Sequence, residues 1–147
     1  VYQDPYDSIN PRMKVKDIVS EPLEIHNIGD GLEREKIVLD ALREVKLEPP
    51  VEIANKYPHM LSGGQRQRVV LARALVLRPK IIIADEPVSM LDVSIRAEVL
   101  DLMKNIQKKN NISFIYITHD LATARYFGQR IIILYLGKIM EFGSIDR

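Results

Sequence analysis

The chain has no cysteine and no tryptophan among its 147 residues. Without thiols there is no disulfide framework and no thiolate metal or redox site, a composition suited to a reducing compartment. Long apolar runs are missing as well: Ile131 to Leu136 is typical of the longest, far short of the roughly 20 residues that cross a bilayer as a helix. Neither sign of charge is in excess, with 21 Lys and Arg against 20 Asp and Glu. Bulk electrostatics therefore argue for neither a nucleic-acid field nor an acidic tail. A start methionine and a basic-then-apolar leader are absent, and Val1 begins in mid-pattern, so the chain reads as a piece of a longer protein. What is present suffices for a core: the length is near that of one ordinary domain and 46% of residues are hydrophobic.

The texture changes near residue 78. From Asp4 to about Arg78 helical stretches are punctuated by Pro5, Pro11, Pro22, the Gly29-Asp30-Gly31 turn, Pro49-Pro50 and Pro58. Val15 to Ile25 reads as a helix interrupted near Pro22. Glu33 to Lys46 is clearer, because Ile37, Val38, Ala41, Leu42 and Val45 recur at three- and four-residue steps. Val51 to Tyr57 reads as a third, short helix. From Lys80 the pattern becomes strand, helix, strand. Ile81 to Ala84 is a continuous apolar run, expected of a parallel strand covered on both faces. Val93 to Lys108 carries Val99, Leu102, Met103 and Ile106 on one stripe, with Lys108 and Lys109 at its C-terminal dipole. Ile112 to Thr118 is a second buried strand, a short helix opens near Asp120, and Gln129 to Leu136 with Lys138 to Phe142 suggests a hairpin across Gly137. A strand-helix-strand order with right-handed crossover predicts a parallel α/β sheet.

Several residues stand where chemistry is done. Ligands of open parallel sheets sit beyond the carboxyl ends of the strands, where the first strand delivers Asp85 and Glu86. One carboxylate there suits Mg²⁺ held through water, and its neighbour can orient or deprotonate an attacking water. Taken alone, such an acidic pair is more often a solvated strand end. Ser62 and Gln65 have capping-box spacing for a helix running through Leu77. Gly63 and Gly64 are unneeded by a cap and disfavour a helix by up to about 1 kcal/mol each. They imply that something approaches the backbone, and bare N–H groups at a helix start suit a phosphate. Arg66, Arg68 and Arg73 alternate with an apolar face and lack aromatic neighbours, so they read as solvated or phosphate-proximal surface rather than a nucleic-acid patch. His119 follows the second strand at the same sheet edge as Glu86. Ser89 to Asp92 reads by itself as a loop with Asp92 capping the next helix, and Gln3 as a polar residue before a proline turn.

Taken in order, VYQDP, LSGGQRQR, IIIADEP, SMLD and ITHD resemble the Q-loop, signature motif, Walker B strand with its glutamate, D-loop and switch-histidine loop of ATP-binding cassette transporter ATPases. The wording VYQDPYDSINPR and DEPVSMLDVSIRAEVLDLM is further similar to the branch that powers oligopeptide and dipeptide uptake, with nickel importers close by. The resemblance implies the C-terminal part of a P-loop NTPase α/β domain. Residues 1–78 would hold the Q-loop, helical subdomain and signature helix, and residues 79–147 the second half of a RecA-like core. It implies ATP as substrate and Mg²⁺ as cofactor. Asp85 would hold Mg²⁺ through water, Gln3 would contact Mg²⁺ or the attacking water, Glu86 would polarise that water, and His119 would contact the γ-phosphate. Ser62, Gly63, Gly64 and Gln65 would face the nucleotide of a second ATPase subunit, identical or sister, with Ser89 and Asp92 at the dimer seam. A membrane permease would dock its coupling helix on Asp4 to Pro58, placing the protein on the cytoplasmic face of the membrane, with no nucleic acid involved.

No G-x-x-x-x-G-K-[ST] occurs; the Gly-Lys pair at Gly137-Lys138 is followed by Ile139. The chain by itself is therefore expected not to bind or hydrolyse ATP in its own half-site. Its sheet is expected to lack the strand leading into that loop, leaving an unpaired edge prone to self-association. Two other readings remain: a non-catalytic permease-docking module, and a soluble DNA-repair ATPase with a similar signature. Against the second, Asp4 to Met60 is Pro-broken, has no heptad run, and carries no cysteine for a zinc insertion.

Overall fold

A computed structural model describes Val1 and residues 9–145; Gln3 lies outside the described residues. The first helix, α1 (Val15–Ile25), buries Val15, Ile18, Val19 and Leu23 at helical spacing. It runs unbroken through Pro22 rather than stopping there, and buried residues on either side of the proline hold the helix together across the missing N–H. Helix α2 (Gly31–Glu44) starts two residues earlier than the apolar pattern suggests because Asp30 caps it: its carboxylate accepts from Leu32 N at 3.0 Å and Glu33 N at 2.9 Å, and Glu33 reaches back to Asp30 N. Helix α3 (Pro50–Ala54) is shorter than expected, and a 3-10 turn over Pro58–Met60 takes up the following chain. Helix α4 (Gly63–Leu75) packs its Val69, Leu71, Ala72 and Leu75 into the common core and ends before Leu77.

The basic residues of α4 are not solvated surface. Arg68 pairs with Glu98 at 2.9 Å, Arg73 with Glu21 at 2.5 Å, and Arg66 donates to the Pro58 carbonyl at 3.1 Å. They join α4 to its neighbours, the guanidinium groups finding carboxylates and a carbonyl.

Beyond α4 the order is β1 (Ile81–Asp85), α5 (Val93–Asn110), β2 (Ser113–Ile117) and α6 (Leu121–Phe127). β1 and β2 pair in parallel, from Ile81 opposite Ser113 to Asp85 opposite Ile117. Helix α5 buries Val99, Leu102, Met103 and Ile106 and ends on Asn111, whose φ of 52° is the left-handed cap conformation. β1 is covered on one face only, contrary to the reading of its apolar run. Ile82 and Ala84 are buried, whereas Ile81 and Ile83 are 59% and 56% exposed, and Ile115 and Ile117 of β2 are exposed as well. Four consecutive apolar residues do not reveal how many faces are covered; the helices here supply cover for one.

The chain closes with β3 (Arg130–Tyr135) and β4 (Lys138–Ser144), an antiparallel hairpin. Its loop residues Leu136 and Gly137 have φ of 48° and 74°, the positive values a two-residue turn needs to match strand twist. No helix among the described residues is long and apolar enough to cross a membrane.

Candidate functional site

Parallel register brings the carboxyl ends of β1 and β2 side by side, Asp85 opposite Ile117. The next residue, Glu86, has a φ of 47°, which is disfavoured for a side chain that carries a Cβ. Pro87 contributes by disfavouring the right-handed helical conformation for the residue before it. The main chain is held in this turn because Glu86 N donates to the Ile117 carbonyl at 2.9 Å, while the Glu86 carbonyl accepts from Ser89 N at 3.2 Å and Ser89 Oγ at 3.0 Å. Backbone strain at a strand end, tied down by several hydrogen bonds, is a frequent mark of a working site.

The turn carries the Glu86 carboxylate across the sheet edge to His119. Its Oε1 accepts from the His119 main-chain N–H at 3.1 Å and also meets the ring Nδ1. The imidazole is 79% exposed and the carboxylate 16%, so a sheltered acid grips a solvent-facing ring. Occupying Nδ1 leaves Nε2 open to a ligand, and the contact fixes the orientation of the ring. Both residues border a cavity of about 490 Å³, whose wall also includes Ser89, Arg96, Tyr116 and Thr123. Burial pushes the Tyr116 phenol above its ordinary pKa, which keeps it neutral there.

Asp85 behaves differently from its neighbour. Strand alternation places it on the open face with Ile81 and Ile83, and its side is exposed. On the far edge of β1 from β2, Val1 N donates to the Ile83 carbonyl and Asp85 N donates to the Val1 carbonyl, each at 2.9 Å. This parallel bridge sets the beginning of the chain beside the acidic strand end. No group of three His, Asp or Glu side chains capable of holding a metal occurs among the described residues. The exposed carboxylate of Asp85 fits an ion that keeps most of its waters, as Mg²⁺ does.

Ser62, Gly63, Gly64 and Gln65, at the start of α4, are not part of the cavity wall. Ser62 Oγ accepts from Gln65 N at 3.2 Å, and Gln65 Oε1 accepts from Ser62 N at 3.0 Å. The two glycines face the beginning of α5. A Cβ on Gly64 would stand 2.5 Å from Ile95 Cγ2, and one on Gly63 3.4 Å from Leu91 Cδ2. The close approach inferred from the glycines is therefore made, at Gly64, by a side chain of the same molecule. Asp92 occupies the N-cap position of α5, but its side chain makes no capping hydrogen bond; it is exposed, beside the buried Leu91.

Sequence reasoning passed over Arg96, Thr118, Thr123 and the side chain of Asp120. Asp120 caps α6 by accepting from Ala122 N at 2.8 Å and pairs with Arg96 at 3.6 Å, while Asp120 N donates to Thr118 Oγ1 at 3.1 Å. The available signal was weak: an Asp directly after His119, and an Arg one helical turn after Asp92.

Residues 1–89 match the family model described as ABC transporter. The chain is 48% identical over 147 residues to the oligopeptide transport ATP-binding protein OppF of Bacillus subtilis (strain 168), covering 99% of this chain and 48% of that protein. To the oligopeptide transport ATP-binding protein AppF of the same organism it is 48% identical over 141 residues, covering 96% of this chain and 42% of that protein. Among solved structures it is similar to the dimeric ATP-binding cassette MJ0796 in a post-hydrolysis state bound to ADP and Pi. There the TM-score is 0.81 at 34% identity, over 99% of this chain and 62% of that one. The chain spans less than half the length of the curated relatives it matches.

Proposed function

The chain belongs to the ABC transporter family, and from that premise we propose that it is the C-terminal part of an ATP-hydrolysing subunit that energises peptide import through a membrane permease. The single observation that carries the reading is the Glu86 carboxylate accepting from His119 where two parallel strands end together. In this assignment Glu86 polarises the attacking water and His119, oriented through Nδ1, presents Nε2 to the γ-phosphate. Asp85 would hold Mg²⁺ by way of water, and Gln3 would contact Mg²⁺ or the attacking water. Mg²⁺ held there would supply neutralisation of phosphate charge, and hydrolysis is otherwise a matter of positioning and electrostatic stabilisation.

Ser62, Gly63, Gly64 and Gln65 would address the nucleotide of a second ATPase subunit, with Ser89 and Asp92 at the seam; that none of the first four lines the Glu86 cavity supports a site shared between two chains. Residues 1–78 form the signature-bearing helical part in this scheme and residues 79–147 the core half. The exposed Ile25, Ile28 and Leu32 around the α1–α2 turn support docking of a permease coupling helix there. That docking would hold the protein at the cytoplasmic face of the membrane. Lacking a G-x-x-x-x-G-K-[ST] loop, the 147-residue chain by itself would not hold Mg-ATP in its own half-site.

The test is Glu86→Gln in the full-length subunit. ATP binding persists and kcat falls by roughly 100-fold or more, the range of a lost general base. Near wild-type hydrolysis in that variant removes Glu86 from its role.

A further inference from the structure

Besides the Glu86–His119 contact, a second side chain ties the loop before α5 to the loop that carries His119. Arg96, in the first turn of α5, donates from Nη2 to the Leu91 carbonyl at 3.3 Å and sets Nη1 3.6 Å from Asp120 Oδ2. Leu91 N donates in turn to the Val88 carbonyl, and the adjoining Ser89 hydrogen-bonds to the Glu86 carbonyl through both N and Oγ. On the other side Asp120 directly follows His119, which contacts Glu86. The contacts thus close a ring: Glu86 to His119, Asp120, Arg96, Leu91, and back through the Val88–Ser89 turn to Glu86.

We propose that Arg96 is a positioning residue that couples the Asp92 loop to His119, so that contact made at Asp92 is felt at the imidazole. This deepens the functional reading above and rests on it. The physical grounds are geometric. A planar guanidinium can hold two partners at once in a fixed fork, which a point charge cannot. Arg96 is also 29% exposed at its side chain and Asp120 35%, so water screens the pair only in part. Asp120 is further constrained by its capping bond to Ala122 N and by Thr123 Oγ1 donating to its carbonyl at 2.9 Å. Movement of the Arg96 head therefore acts on a braced segment rather than on a loose loop. Asp92 lies one residue beyond the carbonyl that Arg96 holds, and its main-chain carbonyl accepts from Arg96 N at 2.8 Å. The start of α5 and the Asp92 loop are therefore tied together through both the main chain and the side chain of Arg96.

The experiment uses the full-length subunit and compares Arg96→Met, which keeps the apolar stem, with Arg96→Lys and Asp120→Asn, which keeps the cap. Arg96→Met is expected to lower kcat for ATP roughly fivefold, the scale of losing one partly exposed ion pair, with KM and Tm within error of wild type. Arg96→Lys recovers part of the rate because it retains the charge facing Asp120. Asp120→Asn added to Arg96→Met causes no further loss, since both act through one contact. An unchanged kcat in Arg96→Met, or a loss matched by a fall in Tm that Lys does not relieve, overturns the proposal. Glu86→Gln is measured alongside. If it blocks turnover while Arg96→Met does not, the coupling role alone fails; if it leaves turnover intact, the functional reading fails and the coupling role with it.

Discussion

Gly64 offers the sharpest test of what the glycine pair at the start of α4 is for. A methyl added there meets Ile95 Cγ2 at 2.5 Å, nearer than any real Cβ contact. Gly64→Ala must push α4 from α5 or force Ile95 off its rotamer, an overpacking penalty of about 1–3 kcal/mol. Against this stands the better helix propensity of Ala, at most about 1 kcal/mol. With the full propensity offset the net loss should be up to about 2 kcal/mol, seen as a fall in Tm of up to roughly 8 °C for a chain of this size. Ile95→Ala removes the offending methyl, itself destabilising by roughly 1–2 kcal/mol because the side chain is half-buried. In that background Gly64→Ala becomes neutral or mildly stabilising, so a double-mutant cycle by thermal and urea denaturation gives a coupling above about 1 kcal/mol. If Gly64→Ala destabilises equally with and without the Ile95 side chain, helix approach is not the reason for the glycine, and close approach by an outside group regains its place.

Ser62→Ala should reduce stability by about 1 kcal/mol through loss of the cap; Ser62→Arg in the full-length subunit should lose the same cap and a similar amount of stability, and in addition abolish ATPase activity. Unchanged activity in the Arg variant leaves Ser62 as a cap only. The 147-residue chain by itself should self-associate, because β2 pairs with β1 on one edge and Ile115 and Ile117 are 52% and 47% exposed. Sedimentation at high concentration checks this: charged replacements at the two isoleucines should restore a monomer, and a strictly monomeric parent chain refutes it.

Local pattern was sufficient for the elements. The three- and four-residue apolar steps in α1, α2 and α5, the Ser62-x-x-Gln65 cap and the apolar runs of β1 and β2 are all decided by interactions between near neighbours in sequence, which is why they are legible there. The meeting of Glu86 and His119 was legible too, because adjacent parallel strands deliver their next residues to the same sheet edge. Gln3 lies outside the described residues and is tested by none of this.

What tertiary structure alone decided depends on which distant segments meet. Ile81 and Ile83 read as core, yet the helices of this chain cover only the Ile82 and Ala84 face. The arginines of α4 read as surface until Glu21 and Glu98 arrived from α1 and α5. That a side chain of the same molecule, Ile95, makes the close approach at Gly64 could not be read from the glycine itself. The link from Leu91 through Arg96 to Asp120 has no sequence signature, since it joins two loops brought together only when α5 packs beside the strand ends. Propensity and periodicity act over a few residues and can be read from the chain, whereas burial, ion pairing and close approach are properties of pairs that the folded structure alone brings into contact.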